Sequence, residues 1–138
     1  MDTPEADSPL TRVTQGKAKL FSDERGGLGV FDIPDCVPFA PVRAFWITDA
    51  GPEHTRGGHA HKACSQFFVC LRGNIRVDAF DGRLTRDYLL GPGDFLNLVP
   101  GIFATQTFLQ KDAVLLVLCD RPYEAHDYIH DKNLLRAD

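Results

Sequence analysis

Glycine and proline interrupt this chain so often that no long helix fits between them. The sequence contains 12 Gly and 9 Pro, and the apolar runs between them are short, whereas a helix needs ten or so residues with a 3.6-residue apolar period. Turn dipeptides such as Asp81-Gly82 and Pro100-Gly101 separate these runs. The sequence therefore predicts a mostly β protein. The expected strands are residues 17–21, 28–32, 42–48, 58–61, 65–72, 74–80, 83–90, 94–99, 102–109 and 113–119.

Residues 74–90 give the clearest local prediction, a β-hairpin. Ile75, Val77 and Ala79 alternate with polar residues, Asp81-Gly82 supplies the turn, and a second run returns to residue 90. Many short antiparallel strands of this kind are typical of a two-sheet jelly roll or a small barrel. We therefore expect an all-β antiparallel jelly roll, with a short C-terminal helical tail within residues 122–138.

The length of the chain, 138 residues, fits one domain. At this size folding buries about two thirds of the surface of the unfolded chain, so a core forms without disulfide or metal staples. We expect a flexible N-terminus at residues 1–10 and a single domain at residues 11–138. The four cysteines show no C-x-x-C pairing and are expected to stay reduced; they are Cys36, Cys64, Cys70 and Cys119.

Charge and hydropathy exclude several partners. Fifteen Lys and Arg against nineteen Asp and Glu give a net charge of −4, without the basic stripe that nucleic-acid binding requires. No apolar run approaches the roughly 20 residues of a membrane span, and residues 1–9 are acidic and proline-rich rather than signal-like. We expect a cytoplasmic protein with no nucleic-acid and no membrane partner.

The segment with the most chemical information is residues 55–62, Thr-Arg-Gly-Gly-His-Ala-His-Lys. In a strand, residues i and i+2 lie on one face, so His59 and His61 are expected to share a pocket while Ala60 points away. With Gln66 and Gly73 downstream, the spacing matches the first motif of the cupins, jelly rolls that carry a site inside the barrel. We therefore expect a cupin barrel.

Two positions depart from the metal-binding form of this motif. The carboxylate position holds the amide Gln66, and the last histidine position, after Pro100-Gly101, holds Ala104. Transition metals favour at least three imidazole, thiolate or carboxylate ligands, so two histidines and an amide predict a metal-free site. Two free imidazoles with pKa values near 6.5 are instead suited to proton transfer at neutral pH.

The chain resembles the nucleotide-sugar 3,4-ketoisomerases, small cupins that convert dTDP-4-keto-6-deoxyglucose to a 3-keto isomer. The similarity covers most of the sequence, and its most specific part is an Arg-Gly-x-His-Ala-His-Lys core joined to an Asp-Tyr-Ile tail. The segments that carry it are residues 23–28, 37–39, 42–45, 56–62, 81–82, 100–102, 113–118 and 127–129, with Gln66, Gly73 and Tyr123.

This resemblance implies an isomerase in which His59 and His61 are the catalytic acid and base. One imidazole removes the C3 hydrogen, an enediol forms, and the other returns a proton to C4, so the implied reaction requires no redox cofactor and we expect none. The resemblance also implies a homodimer, commonly with exchanged N-terminal strands, and a dTDP-linked 4-keto-6-deoxy sugar as the ligand. The chain has Phe103-Ala104 where the family usually has Trp-His, which leaves the product stereochemistry at C4 and the nucleotide open.

Several further residues are candidates for binding the substrate. Arg56, Lys62 and Arg25 would supply positive charge to the diphosphate, Gln66 would bond a sugar oxygen or orient a histidine, and Phe103 would line the pocket. Tyr123, Asp127 and Tyr128 are expected to pack and cap the tail, reaching the site only where that tail folds over the pocket. His54, His126 and His130 are expected to be exposed, and Trp46 to belong to the core.

Two alternatives differ in kind from the isomerase. One is a metal-dependent cupin, a dioxygenase or another isomerase, with His59 and His61 as ligands and His54 as the nearby candidate for a third. The other is a catalytically silent cupin that binds a sugar nucleotide without turnover.

Overall fold

The computed structural model describes residues 10–135, which form twelve strands and two short 3-10 helices. The strands are β1 (Val13–Lys17), β2 (Lys19–Asp23), β3 (Gly26–Val30), β4 (Arg43–Ile47), β5 (Thr55–His61), β6 (Gln66–Arg72), β7 (Ile75–Phe80), β8 (Thr85–Leu90), β9 (Asp94–Leu98), β10 (Phe103–Phe108), β11 (Val114–Cys119) and β12 (Tyr128–Ile129). The predicted all-β fold is confirmed.

The strands form two five-stranded antiparallel sheets and a separate hairpin. The first sheet has the order β1-β9-β6-β11-β4, and the second has the order β12-β5-β10-β7-β8. Strands β2 and β3 pair only with each other among the described residues. Apart from the β7–β8 pair, neighbours within the two five-stranded sheets are not consecutive in the chain, as in the predicted jelly roll.

The main core lies between the two sheets. Strands β6 and β11 contribute Cys70, Leu115 and Val117, and strands β7 and β10 contribute Val77 and Phe108, all at most 1% exposed. The alternation of buried and exposed residues along β7 produces this face, because successive side chains of a strand point to opposite sides. The predicted hairpin at residues 74–90 is β7–β8, in antiparallel register.

The predicted helical tail is not an α-helix. Residues 122–135 contain two 3-10 turns, Ala125–Asp127 and Lys132–Leu135, separated by strand β12. The backbone of Tyr128 and Ile129 pairs with β5 instead of continuing the first turn. The short apolar run in the sequence is compatible with a helix and with a strand. Pairing with an open sheet edge satisfies the same backbone N–H and C=O groups as a helix does.

Two further observations bear on the sequence predictions. No helix among residues 10–135 is long and apolar enough to span a membrane. Residues 1–9 of the predicted flexible terminus lie outside the described residues, whereas Leu10 is 3% exposed and its N–H donates to the Tyr88 hydroxyl. The four cysteines are free thiols, as predicted.

Candidate active site

His59 and His61 lie side by side on β5, as the i, i+2 spacing predicts. Their ring centroids are 5.0 Å apart and nearly perpendicular. Tyr128 lies against both rings, with its centroid 4.5 Å from each. This contact follows from the pairing of β12 with β5, which places Tyr128 opposite His61.

Asp127 contacts the His61 ring at Nδ1 and fixes its orientation. Its Oδ2 lies 2.8 Å from His61 Nδ1, and its Oδ1 and Oδ2 accept the backbone N–H groups of Ala63 and Cys64 at 2.7 and 3.3 Å. Burial alone would raise the pKa of Asp127, but these hydrogen bonds outweigh it and the pKa lies below its ordinary value. The carboxylate is therefore charged at neutral pH and favours the proton on His61 Nδ1.

The other ring nitrogen of His61 has different surroundings. Nε2 is buried and has no hydrogen-bond partner among the described residues. A buried polar atom without a partner is costly in a stable protein, so His61 Nε2 is a candidate for contact with a ligand. Asp127 and His61 together form an oriented acid/base dyad.

His59 is kept neutral by its surroundings. Burial first, then the positive field of His61, and to a smaller extent His130, lower the pKa of His59 to about 4, against an opposing hydrogen bond from its ring to the Gly57 carbonyl. At neutral pH His59 is therefore an unprotonated base. His130 is exposed, as predicted, and its ring centroid is 6.1 Å from that of His59.

A cavity of about 370 Å³ opens beside His59. Its lining also contains Arg56 and Gln66, two of the sequence candidates, and Arg43 and Gln106 from two other strands. The other lining residues are Phe45, Trp46, Ile47, Gly57, Phe68, Ala104, Val117 and Tyr128. Neither arginine forms an ion pair with a carboxylate within residues 10–135, so both are available to an anionic ligand.

The remaining sequence candidates lie elsewhere. Phe103 faces the opposite side of β10, where it packs with Ala60 and Phe80 under the C-terminal tail. Lys62 has an exposed side chain, and its backbone N–H donates to the Asp127 carbonyl. Arg25 pairs with Asp23 at the tip of the β2–β3 hairpin, with an 87% exposed side chain.

The site also contains residues that sequence reasoning did not assign to it. Asp127 and Tyr128 were expected to pack the tail, and Trp46, expected in the core, is 69% exposed beside the cavity. Arg43 lies in segment 42–45 of the family resemblance but was given no role in the site, and Gln106 lies in none of these segments. The Asp-Tyr-Ile tail was the one usable signal, because its pairing with β5 brings both residues to the histidines.

The residues near His59 do not fit a metal centre of the kind the metal-dependent alternative requires. Within the described chain, the cluster with metal-ligand chemistry is His61, Cys64 and Asp127, with donor atoms within 4.8 Å of one another, and it excludes His59 and His54. Burial, together with nearby Cys119 and Asp120, raises the pKa of the Cys64 thiol to about 12, which disfavours the thiolate that binds metals. Both Asp127 oxygens are already hydrogen-bonded.

Comparison with known proteins places this site in a family. Residues 11–137 match the family model described as FdtA (WxcM-like, C-terminal). The chain is 34% identical over 112 residues to a TDP-4-oxo-6-deoxy-alpha-D-glucose-3,4-oxoisomerase of Aneurinibacillus thermoaerophilus, covering 80% of this chain and 81% of that protein.

Solved structures agree with the sequence match. A histidine-to-asparagine mutant of the 3,4-ketoisomerase QdtA from Thermoanaerobacterium thermosaccharolyticum, in complex with TDP-4-keto-6-deoxyglucose, has a TM-score of 0.84 at 26% identity, covering 92% of this chain and 93% of that one. The TDP-quinovose 3,4-ketoisomerase WlaRB from Campylobacter jejuni has a TM-score of 0.83 at 25% identity, covering 91% and 98%. The chain belongs to the FdtA family of sugar 3,4-ketoisomerases and is an isomerase with a cupin fold.

Proposed function

We propose that this enzyme converts dTDP-4-keto-6-deoxyglucose to a dTDP-3-keto-6-deoxyhexose by proton transfer between the sugar and two histidines. The observation that carries the proposal is the neutral His59 in the cavity wall beside the His61–Asp127 dyad. The related oxoisomerase and the QdtA complex name this substrate.

The electrostatics favour distinct roles for the two rings. A ketone at C4 acidifies the C3 hydrogen, and neutral His59 accepts this proton to give an enediol. His61, oriented by Asp127 through Nδ1, returns a proton to C4 through Nε2, and before the next turnover His59 loses one proton and His61 regains one. The hydroxyl proton at O3 passes to O4, so the carbonyl moves by one carbon with no net change in composition.

The cavity offers groups for the rest of the substrate. Arg56 and Arg43 provide two cations for the diphosphate. Gln66 and Gln106 present amides from opposite sheets, which suit sugar hydroxyls. Lys62 remains a proposed contact with weaker support, since it does not line the cavity, whereas Phe103 packs on the other face of β10 and is not retained as a contact.

The proposal also includes a homodimer. The β2–β3 hairpin pairs with neither sheet and exposes Leu20, Phe21 and Leu28 at 51–61%, an apolar surface that is unfavourable in water. Exchange of this hairpin with a second copy would cover it and carry Arg25 to the partner. Analytical ultracentrifugation should give a dimer for the wild type and a monomer for Phe21→Arg, with Leu89→Arg, exposed on β8, as the matched control. A cytoplasmic location completes the proposal.

Turnover assays test the reaction. The enzyme is incubated with dTDP-4-keto-6-deoxyglucose, and the product is reduced with borodeuteride, which labels the carbon that bears the carbonyl. Deuterium at C3 is expected. Deuterium only at C4, with tight binding of the sugar nucleotide, would instead identify the silent binding protein. Activity lost on chelation and restored by a divalent metal would identify the metal-dependent alternative.

A further inference from the structure

Strand β5, which carries both histidines, has one residue more than the stretch of β10 with which it pairs. Along β5 and β10, His59 pairs with Ala104 and Gly57 pairs with Thr105, so Gly58 has no partner on β10. One extra residue in one strand of an antiparallel pair is a β-bulge. Both glycines have positive φ, +80° at Gly57 and +79° at Gly58, which L-residues with a branched side chain essentially do not adopt.

The bulge changes which residues face the cavity. Arg56 and His59 are three residues apart, so regular alternation would place them on opposite faces of β5. Across the bulge, Arg56 pairs with Gln106 and His59 pairs with Ala104. Gln106 and Ala104 are two residues apart on β10 and therefore share a face, and all four residues line the cavity.

The close packing of Gly57 fixes the bulge in place. A Cβ on Gly57 would lie 2.8 Å from the Ala104 carbonyl oxygen and 2.8 Å from the terminal atoms of the Gln106 amide. The Gly57 carbonyl in turn accepts the hydrogen bond of the His59 ring. A Cβ on Gly58, by contrast, would meet no atom within 4 Å.

We infer that Gly58 is a positioning residue, whose bulge brings Arg56 into the cavity beside His59 and so sets the spacing between the diphosphate and the base. This inference rests on the proposed function, because it takes Arg56 as a ligand of the diphosphate. It goes beyond that function by assigning recognition of a nucleoside diphosphate to one backbone feature. Without the bulge, the register shifts by one residue and Arg56 turns to the outer face.

The open space at Gly58 permits a test of backbone conformation alone. Gly58→Val adds a β-branched residue that disfavours φ near +79° without a steric clash. Gly58→Asn adds a residue that tolerates this conformation. We expect Gly58→Val to weaken TDP binding by about tenfold, the loss typical of one charge-assisted contact, and Gly58→Asn to change it by less than about threefold.

A double-mutant cycle separates positioning from general damage. TDP affinity is measured by calorimetry for wild type, Gly58→Val, Arg56→Ala and the double variant. Because Gly58 acts through Arg56, the Gly58→Val loss should fall below about twofold in the Arg56→Ala background. Where Gly58→Val does not fold, deletion of Gly58, which removes the extra residue itself, takes its place.

An equal loss of TDP affinity from Gly58→Val in the wild-type and Arg56→Ala proteins would overturn the inference and leave the proposed function standing. Unchanged TDP affinity in Gly58→Val would do the same. A wild-type enzyme that neither binds TDP nor moves the carbonyl would overturn the proposed function, and the role of Gly58 with it.

Discussion

Asp127 Oδ2 lies 2.8 Å from His61 Nδ1, and the two side chains are only 11% and 7% exposed. A charged carboxylate in this position orients the ring and favours the proton on Nδ1. The geometry resembles the His–Asp pair of hydrolases in its physical logic, although here the partner of the dyad is a second imidazole.

Asp127→Asn should remove this support while keeping the volume of the side chain. We expect kcat to fall by about hundredfold or more, because the amide no longer holds the His61 ring in the required tautomer and orientation. TDP affinity should change little, since Asp127 is not in the cavity wall. Steady-state kinetics and calorimetry measure the two effects, with exposed Asp87→Asn on β8 as control. An unchanged kcat would contradict the dyad.

The low pKa of His59 predicts a pH dependence of stability. The folded protein keeps His59 neutral down to about pH 4, whereas the unfolded chain takes up this proton near pH 6.5. Between these values the unfolded state binds more protons, so the free energy of unfolding should decrease as the pH falls.

Urea denaturation from about pH 7 to about pH 4.5 tests this dependence. Wild type should lose more stability over this window than His59→Asn, which lacks the titrating group. Parallel curves for the two proteins would show that His59 titrates normally in the fold.

Phe103 and Ala104 are neighbours in sequence and lie on opposite faces of β10. Phe103 packs outside the barrel with Ala60 and Phe80, and Ala104 lines the cavity. Phe103→Leu should therefore lower the free energy of unfolding by about 1 kcal/mol and leave TDP affinity unchanged. Ala104→Leu should fill the cavity and weaken TDP binding by about tenfold.

Calorimetry and urea denaturation of both variants distinguish these effects. Loss of TDP affinity in Phe103→Leu at unchanged stability would restore Phe103 as a substrate contact.

Tyr128 is expected to act through the packing of its ring. The ring touches both imidazoles at 4.5 Å, so Tyr128→Phe should keep kcat within about threefold, while Tyr128→Ala should lower it by about tenfold to hundredfold through misplaced histidines. Comparison of kcat and KM for the two variants tests this role. Equal, large losses in both would show that the hydroxyl group itself takes part in the reaction.

Most strands were predictable from local sequence patterns. Alternation and turn dipeptides predicted ten of the strands, since each is a local signal. Strand β1 was not predicted, because among its five residues only Val13 is buried. Its pairing with β9 is decided by tertiary contact rather than by its own pattern.

The site was predictable where it follows a local period and unpredictable where it depends on distant pairing. The i, i+2 rule placed His59 and His61 together. The same rule would place Arg56 on the face of β5 opposite His59. The bulge at Gly58 instead puts the two side chains on the same face. The partner of His61 could not be found locally either, because Asp127 is 66 residues away in sequence.

The transfer of protons by His59 and His61 is tested most directly in heavy water. NMR follows deuterium at C3 and C4 of dTDP-4-keto-6-deoxyglucose with wild type, His59→Asn, His61→Asn and the exposed control His126→Asn. The account predicts that wild type and His126→Asn place deuterium on the sugar, that His59→Asn places none at C3 or C4, and that His61→Asn places none at C4. Deuterium incorporation at the wild-type rate in both active-site variants would contradict it.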